Sequence, residues 1–421
     1  PLEPTSEPLD KIVDTDLRIE EELASQGSAR VIIQLSTEVE PSATLSSWQE
    51  VIERRSAITF DQNAVERALS TADSTVLSRY QIVPAVAAEV TREGLSVLQS
   101  LPNVRSIEPD IPVPPVLDGT VAIIEADQMW ASGYTGTDYA VVILDTGVQS
   151  SHPMFADGEG GSRVVAEACY STNDGTGIES LCPGGASSST AIGSGENCDN
   201  SISGCSHGTH VAGIAAGGEW DTGSVTISGV APDADIISMQ VFTKFTAASG
   251  ACSPYPAPCV LSYTSDQLSA LQRVQTLSVS HDIASVNMSL GGGRYYSACD
   301  NALIASTVEE LAASGIATVI ASGNNGFSDS VSSPACISSA VTVGSTTNDD
   351  KVSGFSNTAE NLIDLYAPGS SIISAVPTNS SDAYSGTSMS APHVAGAFAL
   401  IRHVFPNATA AEIVAALRDA G

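Results

Sequence analysis

The chain has few basic residues. It contains 16 lysines and arginines against 48 aspartates and glutamates, so its formal net charge is −32 over 421 residues. Its only lysines are Lys11, Lys244 and Lys351. A field of this sign disfavours binding to nucleic acid and to anionic membranes, and it keeps the chain soluble by self-repulsion. We therefore expect no nucleic-acid partner and no membrane partner.

Long apolar runs are also missing. No stretch approaches the roughly 20 apolar residues that a membrane helix needs. No signal peptide begins at Pro1, so we expect any export signal to have been removed before this sequence begins. The length suits one large domain and one smaller domain.

The cysteines lack the Cys-x-x-Cys spacing typical of metal sites. Their number is even, eight, and they lie in serine- and glycine-rich stretches, which predicts disulfides and an oxidising, extracellular compartment. Cys252 with Cys259 is the most plausible local pair, because prolines bend the intervening loop, and Cys299 with Cys336 is the second. The pairing of the other four stays open; they are Cys169, Cys182, Cys198 and Cys205.

A serine near the C-terminus lies at the predicted start of a buried helix. Ser388 follows the turn residue Gly386 and precedes the small apolar run 394–397. Free backbone N–H groups and the positive end of the helix dipole meet at such a position. They can activate an oxygen nucleophile and hold an oxyanion, although an ordinary helix cap has the same local pattern.

Two upstream motifs supply partners for such a serine. An apolar run ends in Asp145-Thr146-Gly147, which predicts a buried parallel strand with a carboxylate at its carboxyl end. His207 lies in the first turn of a predicted small-residue helix. An aspartate that orients a histidine, which in turn activates a serine, is the triad of acyl transfer. The spacings are 62 residues from Asp145 to His207 and 181 from His207 to Ser388.

From about residue 118 to the C-terminus, the chain resembles the subtilisin-like serine proteases, or subtilases. The resemblance rests on the motifs at 145–147, 207–213 and 386–392, and on the chain order aspartate, histidine, serine. It implies a secreted serine endopeptidase that hydrolyses peptide bonds through an acyl-enzyme, with Asp145, His207 and Ser388 as catalytic residues. It also implies polypeptide substrates, a monomer and chemistry that requires no cofactor.

The resemblance extends to an oxyanion hole and a substrate-binding edge. The segment 321–326 is similar to the oxyanion loop of the family and nominates Asn324, which directly follows the glycine; Asn325 is the alternative. The residues expected to bind substrate are Ser289, Leu290, Gly291, Ala321, Ser322 and Gly323. Because these segments carry no charge, we expect an apolar or small side chain to fit better than lysine or arginine.

The first 117 residues predict a separate small domain. Strand-like segments at 30–35, 82–90 and 104–107 alternate with helix-like segments at 48–69 and 91–101, which suits a ferredoxin-like α+β domain. The resemblance implies that residues 1–117 are a propeptide, which assists folding and inhibits the enzyme, and that residues 118–421 are the catalytic domain. An unrelated N-terminal module is the alternative.

The tail of this domain predicts self-cleavage between Leu117 and Asp118. The prolines at 112, 114 and 115 predict that residues 111–117 form an extended, stiff segment, which would be long enough to reach a nucleophile. Leu117 suits an uncharged pocket, and Val116 is the nearest alternative.

The catalytic part is predicted to be α/β, with a parallel sheet flanked by helices. Apolar strand-like segments alternate there with helix-like ones at 266–277 and 301–313. The segment from Asp157 to Ser206 is longer than in the compact subtilisins, and Met154 stands where those carry a calcium-binding aspartate. Structural calcium bound elsewhere by acidic loops is left open, with no site assigned.

Two other function classes fit less well. A catalytically silent scaffold or binding protein would have no reason to keep the three triad residues and the oxyanion asparagine, Asn324. A serine-carboxyl peptidase carries a glutamate in place of the histidine and an aspartate in place of the oxyanion asparagine, so His207 and Asn324 argue against it.

Overall fold

The computed structural model describes residues 11–12, 18–37, 48–80, 84–109, 118–175, 177–223, 225–252 and 257–420. The chain divides into two compact units, Pro1–Pro114 and Pro115–Gly421. The tail 111–117, with Val116 and Leu117, lies outside the described residues, whereas Asp118 begins the first helix of the second unit. The domain boundary at 117/118 and the cleavage site stay predictions.

The N-terminal unit is a four-stranded antiparallel sheet with helices. Its elements are α1 (Arg18–Gln26), β1 (Ser28–Leu35), α2 (Trp48–Leu69), β2 (Thr75–Arg79), β3 (Ala85–Thr91), α3 (Arg92–Ser100) and β4 (Val104–Pro109). The strands lie in the order β2-β3-β1-β4, with every neighbouring pair antiparallel. From β1 onward this is the β-α-β-β-α-β order of ferredoxin-like domains.

Alternation along β1 builds the core of this unit. Ala29, Val31, Ile33 and Leu35 are buried; of the residues between them, Arg30 and Gln34 are exposed and Ile32 is partly buried. Successive side chains of a strand point to opposite faces, so one face of β1 packs on the helices and the other meets solvent. The buried face packs with apolar residues of α2 and α3 in one cluster.

The second unit contains a large sheet with helices on both sides. Its strands are β5 (Ala140–Asp145), β6 (Val164–Tyr170), β7 (Ile178–Ser180), β8 (Ser188–Ser189), β9 (Trp220–Asp221), β10 (Thr226–Ile227), β11 (Asp235–Gln240), β12 (Thr243–Phe245), β13 (Cys259–Leu261), β14 (Ile283–Met288), β15 (Gly292–Tyr295), β16 (Ala317–Ala321), β17 (Val331–Ser333), β18 (Val341–Thr346), β19 (Leu365–Pro368), β20 (Ile372–Val376) and β21 (Ser380–Tyr384). Its helices are α4 (Asp118–Ile123), α5 (Ala126–Ala131), α6 (His207–Ala216), α7 (Thr264–Leu277), α8 (Ala305–Ala313), α9 (Thr387–Val404) and α10 (Ala410–Ala420).

The main sheet has the order β19-β18-β16-β14-β5-β11-β6-β8. The strands from β19 to β6 are parallel, and β8 is antiparallel to β6 at the edge. The chain reaches β11 on one side of β5 and then crosses through α7 to β14 on the other side. In open parallel sheets, the crevice at the carboxyl ends beside such a switch point collects functional residues.

Both faces of the main sheet are buried. Val141 and Ile143 of β5 belong to the core that contains α6 and α9, whereas Val142 and Leu144 belong to the core that contains α7 and α8. A strand buried on both faces reads as a continuous apolar run, which is why β5 was recognisable in the sequence. The prediction of an α/β fold with a parallel sheet flanked by helices is confirmed.

Four disulfides join Cys169 to Cys182, Cys198 to Cys205, Cys252 to Cys259 and Cys299 to Cys336. The predictions of disulfides and of the last two pairs are confirmed, and the open pairing of the first four cysteines is resolved. Part of the long segment 157–206 forms β6, which extends the main sheet beside β11.

Candidate active site

Asp145 and His207 are in direct contact. Asp145 is the last residue of β5 and is completely buried, and His207 is the first residue of α6 and is 24% exposed. The His207 Nδ1 atom lies 2.8 Å from Asp145 Oδ1 and 2.9 Å from Oδ2. With Nδ1 carrying the proton that Asp145 accepts, a neutral imidazole leaves Nε2 free to act as a base.

The environment of the His207 ring controls its protonation. Burial disfavours the imidazolium, but the charge of Asp145 and its hydrogen bond together outweigh this effect and raise the pKa of His207 above its usual value. A raised pKa favours the imidazolium that forms when the histidine takes a proton.

Ser388 is the second residue of α9, directly after Thr387. Its N–H is among the first amides of the helix, which have no carbonyl partner within the helix and lie at the positive end of its dipole. The Ser388 hydroxyl donates to the Ser289 carbonyl oxygen at 3.3 Å, and within the described residues it makes no hydrogen bond to His207. The helices α6 and α9, which carry the histidine and the serine, pack against each other.

Asn324 lies beside the start of α9. Its Oδ1 atom accepts from the Thr387 N–H at 2.8 Å and from the Thr387 hydroxyl at 3.0 Å. These two bonds fix the carboxamide next to Ser388. Asn325 is held differently, because its backbone N–H donates to Asn357 Oδ1 at 2.9 Å.

The segment after β14 borders Ser388. Ser289 donates its hydroxyl to the Ser388 carbonyl oxygen at 2.8 Å and accepts from Asn287 Nδ2 at 2.9 Å. Leu290 is partly buried, and a Cβ at Gly291 would lie 2.9 Å from the Ser333 carbonyl oxygen. Within this segment, Ser289 is the residue that is hydrogen-bonded to Ser388, the candidate nucleophile.

The segment after β16 lies mostly inside the molecule. Ala321 and Ser322 are buried, and the Ser322 hydroxyl donates to the Asn357 carbonyl oxygen at 3.0 Å. Gly323 has φ of +108°, and its N–H donates to Thr387 Oγ1 at 3.1 Å. The Ser322 backbone is engaged as well, because its N–H donates to the Val343 carbonyl oxygen at 3.0 Å and its carbonyl oxygen accepts from the Ser332 N–H at 2.9 Å. The six predicted substrate residues lie in the two segments that flank the start of α9.

Thr146 links the aspartate and histidine motifs, a role that was not recognised from the sequence. Its N–H donates to Asp145 Oδ1 at 2.7 Å, and its hydroxyl accepts from the Gly208 N–H at 2.9 Å. The same hydroxyl donates to the Cys205 carbonyl oxygen at 3.4 Å. The position of Thr146 directly after Asp145 was the signal that could have identified it.

Tyr384 is a second residue that the sequence interpretation missed. Its ring stacks on His210, with centroids 4.3 Å apart, and its hydroxyl lies 2.8 Å from the Ser206 hydroxyl. His210 is buried, and its Nε2 lies 3.0 Å from the Ile372 carbonyl oxygen. Burial lowers the pKa of His210 to about 3, so this histidine is neutral and belongs to the packing around α6.

The part of the chain that the structure describes shows neither a metal-binding cluster nor a membrane-spanning helix. The described ranges contain no group of three or more histidine, cysteine, aspartate or glutamate side chains placed to hold a metal ion. Met154, at the expected place of the family's calcium ligand, is buried. None of the helices described has both the length and the apolar character needed to cross a bilayer.

The chain is similar to known proteins over most of its length. The sequence model of the subtilase family matches residues 136–420. Subtilisin DY from Bacillus licheniformis is 31% identical over 296 residues, which cover 70% of this chain and 87% of that protein. Subtilisin E from Bacillus subtilis (strain 168) is 29% identical over 344 residues, which cover 80% of this chain and 75% of that protein. A crystal structure of a cold adapted subtilisin-like serine proteinase aligns with a TM-score of 0.47 and 28% identity, covering 67% of this chain and 81% of that one. The chain belongs to the subtilase family and is a subtilisin-like serine endopeptidase.

Proposed function

We propose that Asp145, His207 and Ser388 are the catalytic triad of this endopeptidase. The Ser388 Oγ atom attacks the carbonyl carbon of a peptide bond while His207 Nε2 accepts its proton and later donates it to the leaving amine. Water then hydrolyses the acyl-enzyme by the same route. The observation that carries the proposal is the contact of His207 Nδ1 with both carboxylate oxygens of buried Asp145.

Attack requires the Ser388 hydroxyl to turn. It donates to the Ser289 carbonyl oxygen at a long 3.3 Å, so little is lost when it rotates toward His207 Nε2. Catalytic hydrogen bonds are often loose in free enzymes and tighten when substrate binds.

The oxyanion hole consists of the Ser388 N–H and the Asn324 side-chain amide. Because Asn324 Oδ1 is engaged by Thr387, the carboxamide has a fixed orientation, and its Nδ2 hydrogens have no acceptor among the described residues. Donors held in advance in this way stabilise charge that appears only in the transition state.

The substrates are polypeptides, and we propose a preference for an apolar or small side chain before the scissile bond. The segments Ser289–Gly291 and Ala321–Gly323 flank the nucleophile and carry no charged side chain. Kinetics on matched peptides with leucine, lysine or glutamate at this position test the preference. A higher kcat/KM for lysine than for leucine would contradict it.

We also propose that the enzyme is secreted as a self-processing zymogen. The four disulfides suit an oxidising compartment, and the ferredoxin-like topology of the N-terminal unit suits an inhibitory propeptide that also assists folding. The matured enzyme is a monomer. Its chemistry needs no cofactor, and any bound calcium is structural.

Processing of the full chain tests the nucleophile and the zymogen together. We expect the wild-type protein to mature to an N-terminus that reads Asp118-Gly119-Thr120, or to begin at Leu117 if cleavage follows Val116. The Ser388→Ala variant should remain unprocessed and inactive. A mature N-terminus upstream of Asp110, or an active enzyme that keeps residues 1–117, would contradict the zymogen proposal. Full peptidase activity of Ser388→Ala would contradict the nucleophile.

A further inference from the structure

We propose that the disulfide Cys198–Cys205 is a positioning element for the Asp145–His207 pair. It closes a loop of chain whose two arms are both hydrogen-bonded to Thr146, and so it holds the start of α6 against the end of β5. The inference rests on the proposed triad, because it assigns the disulfide an effect on catalysis through these two residues.

The first arm of the loop lies along the segment that follows Asp145. The Val148 N–H donates to the Gly195 carbonyl oxygen at 2.9 Å, and the Cys198 N–H donates to the Thr146 carbonyl oxygen at 3.1 Å. The approach is close at Gly147, which has φ of +90°: an added Cβ there would lie 2.1 Å from the Glu196 carbonyl oxygen. The chain just before Cys198 is thus fixed on the aspartate motif.

The second arm leads directly into the catalytic helix. The Thr146 hydroxyl donates to the Cys205 carbonyl oxygen at 3.4 Å and accepts from the Gly208 N–H at 2.9 Å. The His207 N–H donates to the Gly204 carbonyl oxygen at 3.0 Å. Thr146, whose own N–H donates to Asp145, therefore holds both arms of the loop.

The disulfide joins the two arms at this point. The cysteines are seven residues apart, both are buried, and Ile202 between them packs with them in a small apolar cluster. Without the crosslink, the second arm would be held on Thr146 by a long hydrogen bond and by the helix amide alone. A displacement of about 1 Å in a reacting group can cost on the order of 100-fold in rate, so a loose arm should lower turnover.

The pH dependence of activity provides a readout that a purely structural disulfide would leave unchanged. The titratable groups packed around the start of α6 are Asp145 from β5, His210 on the same helix, His393 from α9, and Asp382 and Tyr384 from β21. Among these, Asp145 raises the pKa of His207 against the opposing effect of burial. If the Asp145–His207 contact lengthens, the pKa of His207 falls. The acid limb of the pH profile, where kcat/KM falls because His207 becomes protonated, then moves to lower pH.

The test compares two double variants of the full chain after maturation. Cys198→Ser/Cys205→Ser removes the proposed clamp. As the control, Cys299→Ser/Cys336→Ser removes a disulfide in the core that contains α7 and α8. We expect the first variant to lose kcat by about tenfold to 100-fold per active site, with little change in KM and with its acid limb at lower pH. The control should keep the wild-type kcat and acid limb.

Thr146 variants decide the question if the first double variant yields no folded enzyme. Thr146→Val removes the hydroxyl that holds both Cys205 and Gly208, and should reproduce the loss of kcat and the shifted acid limb. Thr146→Ser keeps the hydroxyl and should restore both. When Thr146→Val is combined with Cys198→Ser/Cys205→Ser, it should lower kcat by a smaller factor than it does in the wild-type background, because both changes break the same network.

The outcomes separate this inference from the proposed triad. Wild-type kcat and acid limb in Cys198→Ser/Cys205→Ser or in Thr146→Val would overturn the clamp, as would an equal loss of kcat in the control. These results would leave the triad intact as long as the wild-type activity depends on Ser388. Wild-type activity that survives Ser388→Ala would overturn the proposed function instead.

Discussion

Replacing Asp145 by asparagine should affect both the rate and its pH dependence. In the wild type, Asp145 Oδ1 accepts from the Thr146 N–H at 2.7 Å, and both carboxylate oxygens lie within 2.9 Å of His207 Nδ1. An asparagine that keeps its oxygen on the Thr146 N–H must direct its NH2 group at His207. The imidazole then either faces a donor with its own N–H or adopts the tautomer with the proton on Nε2, which cannot act as a base.

The expected loss is large. A change of this kind in a serine protease triad costs about 10⁴ in kcat, which corresponds to about 5.4 kcal/mol at 1.36 kcal/mol per factor of ten. The direction of the pH effect follows from the causes of the His207 pKa. Burial lowers it and remains, whereas the charge and hydrogen bond of Asp145 raise it and are removed. Residual activity of Asp145→Asn should therefore persist to lower pH than wild-type activity does.

The assay is kcat/KM against pH on a chromogenic peptide with an apolar residue before the scissile bond, at constant ionic strength. Asp266→Asn is a matched control, because Asp266 is also buried but accepts from Thr172 away from the histidine. It should keep kcat and the acid limb. A kcat of Asp145→Asn within tenfold of wild type, or an unchanged acid limb, would refute the assigned role of Asp145.

Three further predictions concern the oxyanion hole, oxidation and acid stability. Asn324→Ala should lower kcat by about 10²–10³ with little change in KM, because its bond strengthens only in the transition state; if steady-state kinetics show this loss for Asn325→Ala instead, the choice of Asn324 is wrong. Met389 is buried beside the nucleophile, so under mild peroxide the enzyme should lose activity in step with the conversion of Met389 to its sulfoxide, which peptide mass measures. Full activity at complete oxidation of Met389 would contradict this. Burial lowers the pKa of His210 to about 3 and that of His393 to about 4. When unfolded, these two histidines bind protons below about pH 6.5 that they do not bind when folded, so they should make inactive Ser388→Ala roughly 4 kcal/mol less stable to urea at pH 5 than at pH 7; equal stability would refute neutral burial of these two histidines.

Much of the fold was predictable because its local signals agree with its tertiary context. Helix α2 was predicted with the bounds that it has, Trp48–Leu69, and β5 with its start displaced by one residue. By contrast, β2 was missed. Its side chains are mostly exposed, so it shows no apolar alternation, and it is a strand only because it pairs with β3 at the edge of the sheet.

The long segment 157–206 was the least predictable part. Strand β6 within it has two buried residues, Ala168 and Cys169, beside partly buried and exposed ones, and its place beside β11 depends on a pairing that the sequence does not record. The disulfide Cys169–Cys182 depends on that placement, since Cys169 lies in β6. The disulfide Cys252–Cys259 was predictable because it closes a short, proline-bent loop.

For the candidate site, the motifs named the residues but not their contacts. The roles of Asp145, His207, Ser388 and Asn324 were proposed from spacing and resemblance. The bridge through Thr146, and the Ser388 hydroxyl on the Ser289 carbonyl oxygen, result from packing between distant segments. No local pattern records such contacts, so they had to be seen in three dimensions.

Labelling with a fluorophosphonate probe tests the central claim most directly, because the probe reacts with an activated serine. We expect the matured wild-type enzyme to bind one probe per chain, at Ser388 by peptide mass, and to lose all peptidase activity in proportion. His207→Ala should label at least 10³-fold more slowly, Ser388→Ala should not label, and Ser390→Ala should label as the wild type does. Labelling of another serine, or unchanged labelling of Ser388→Ala, would contradict the proposed triad.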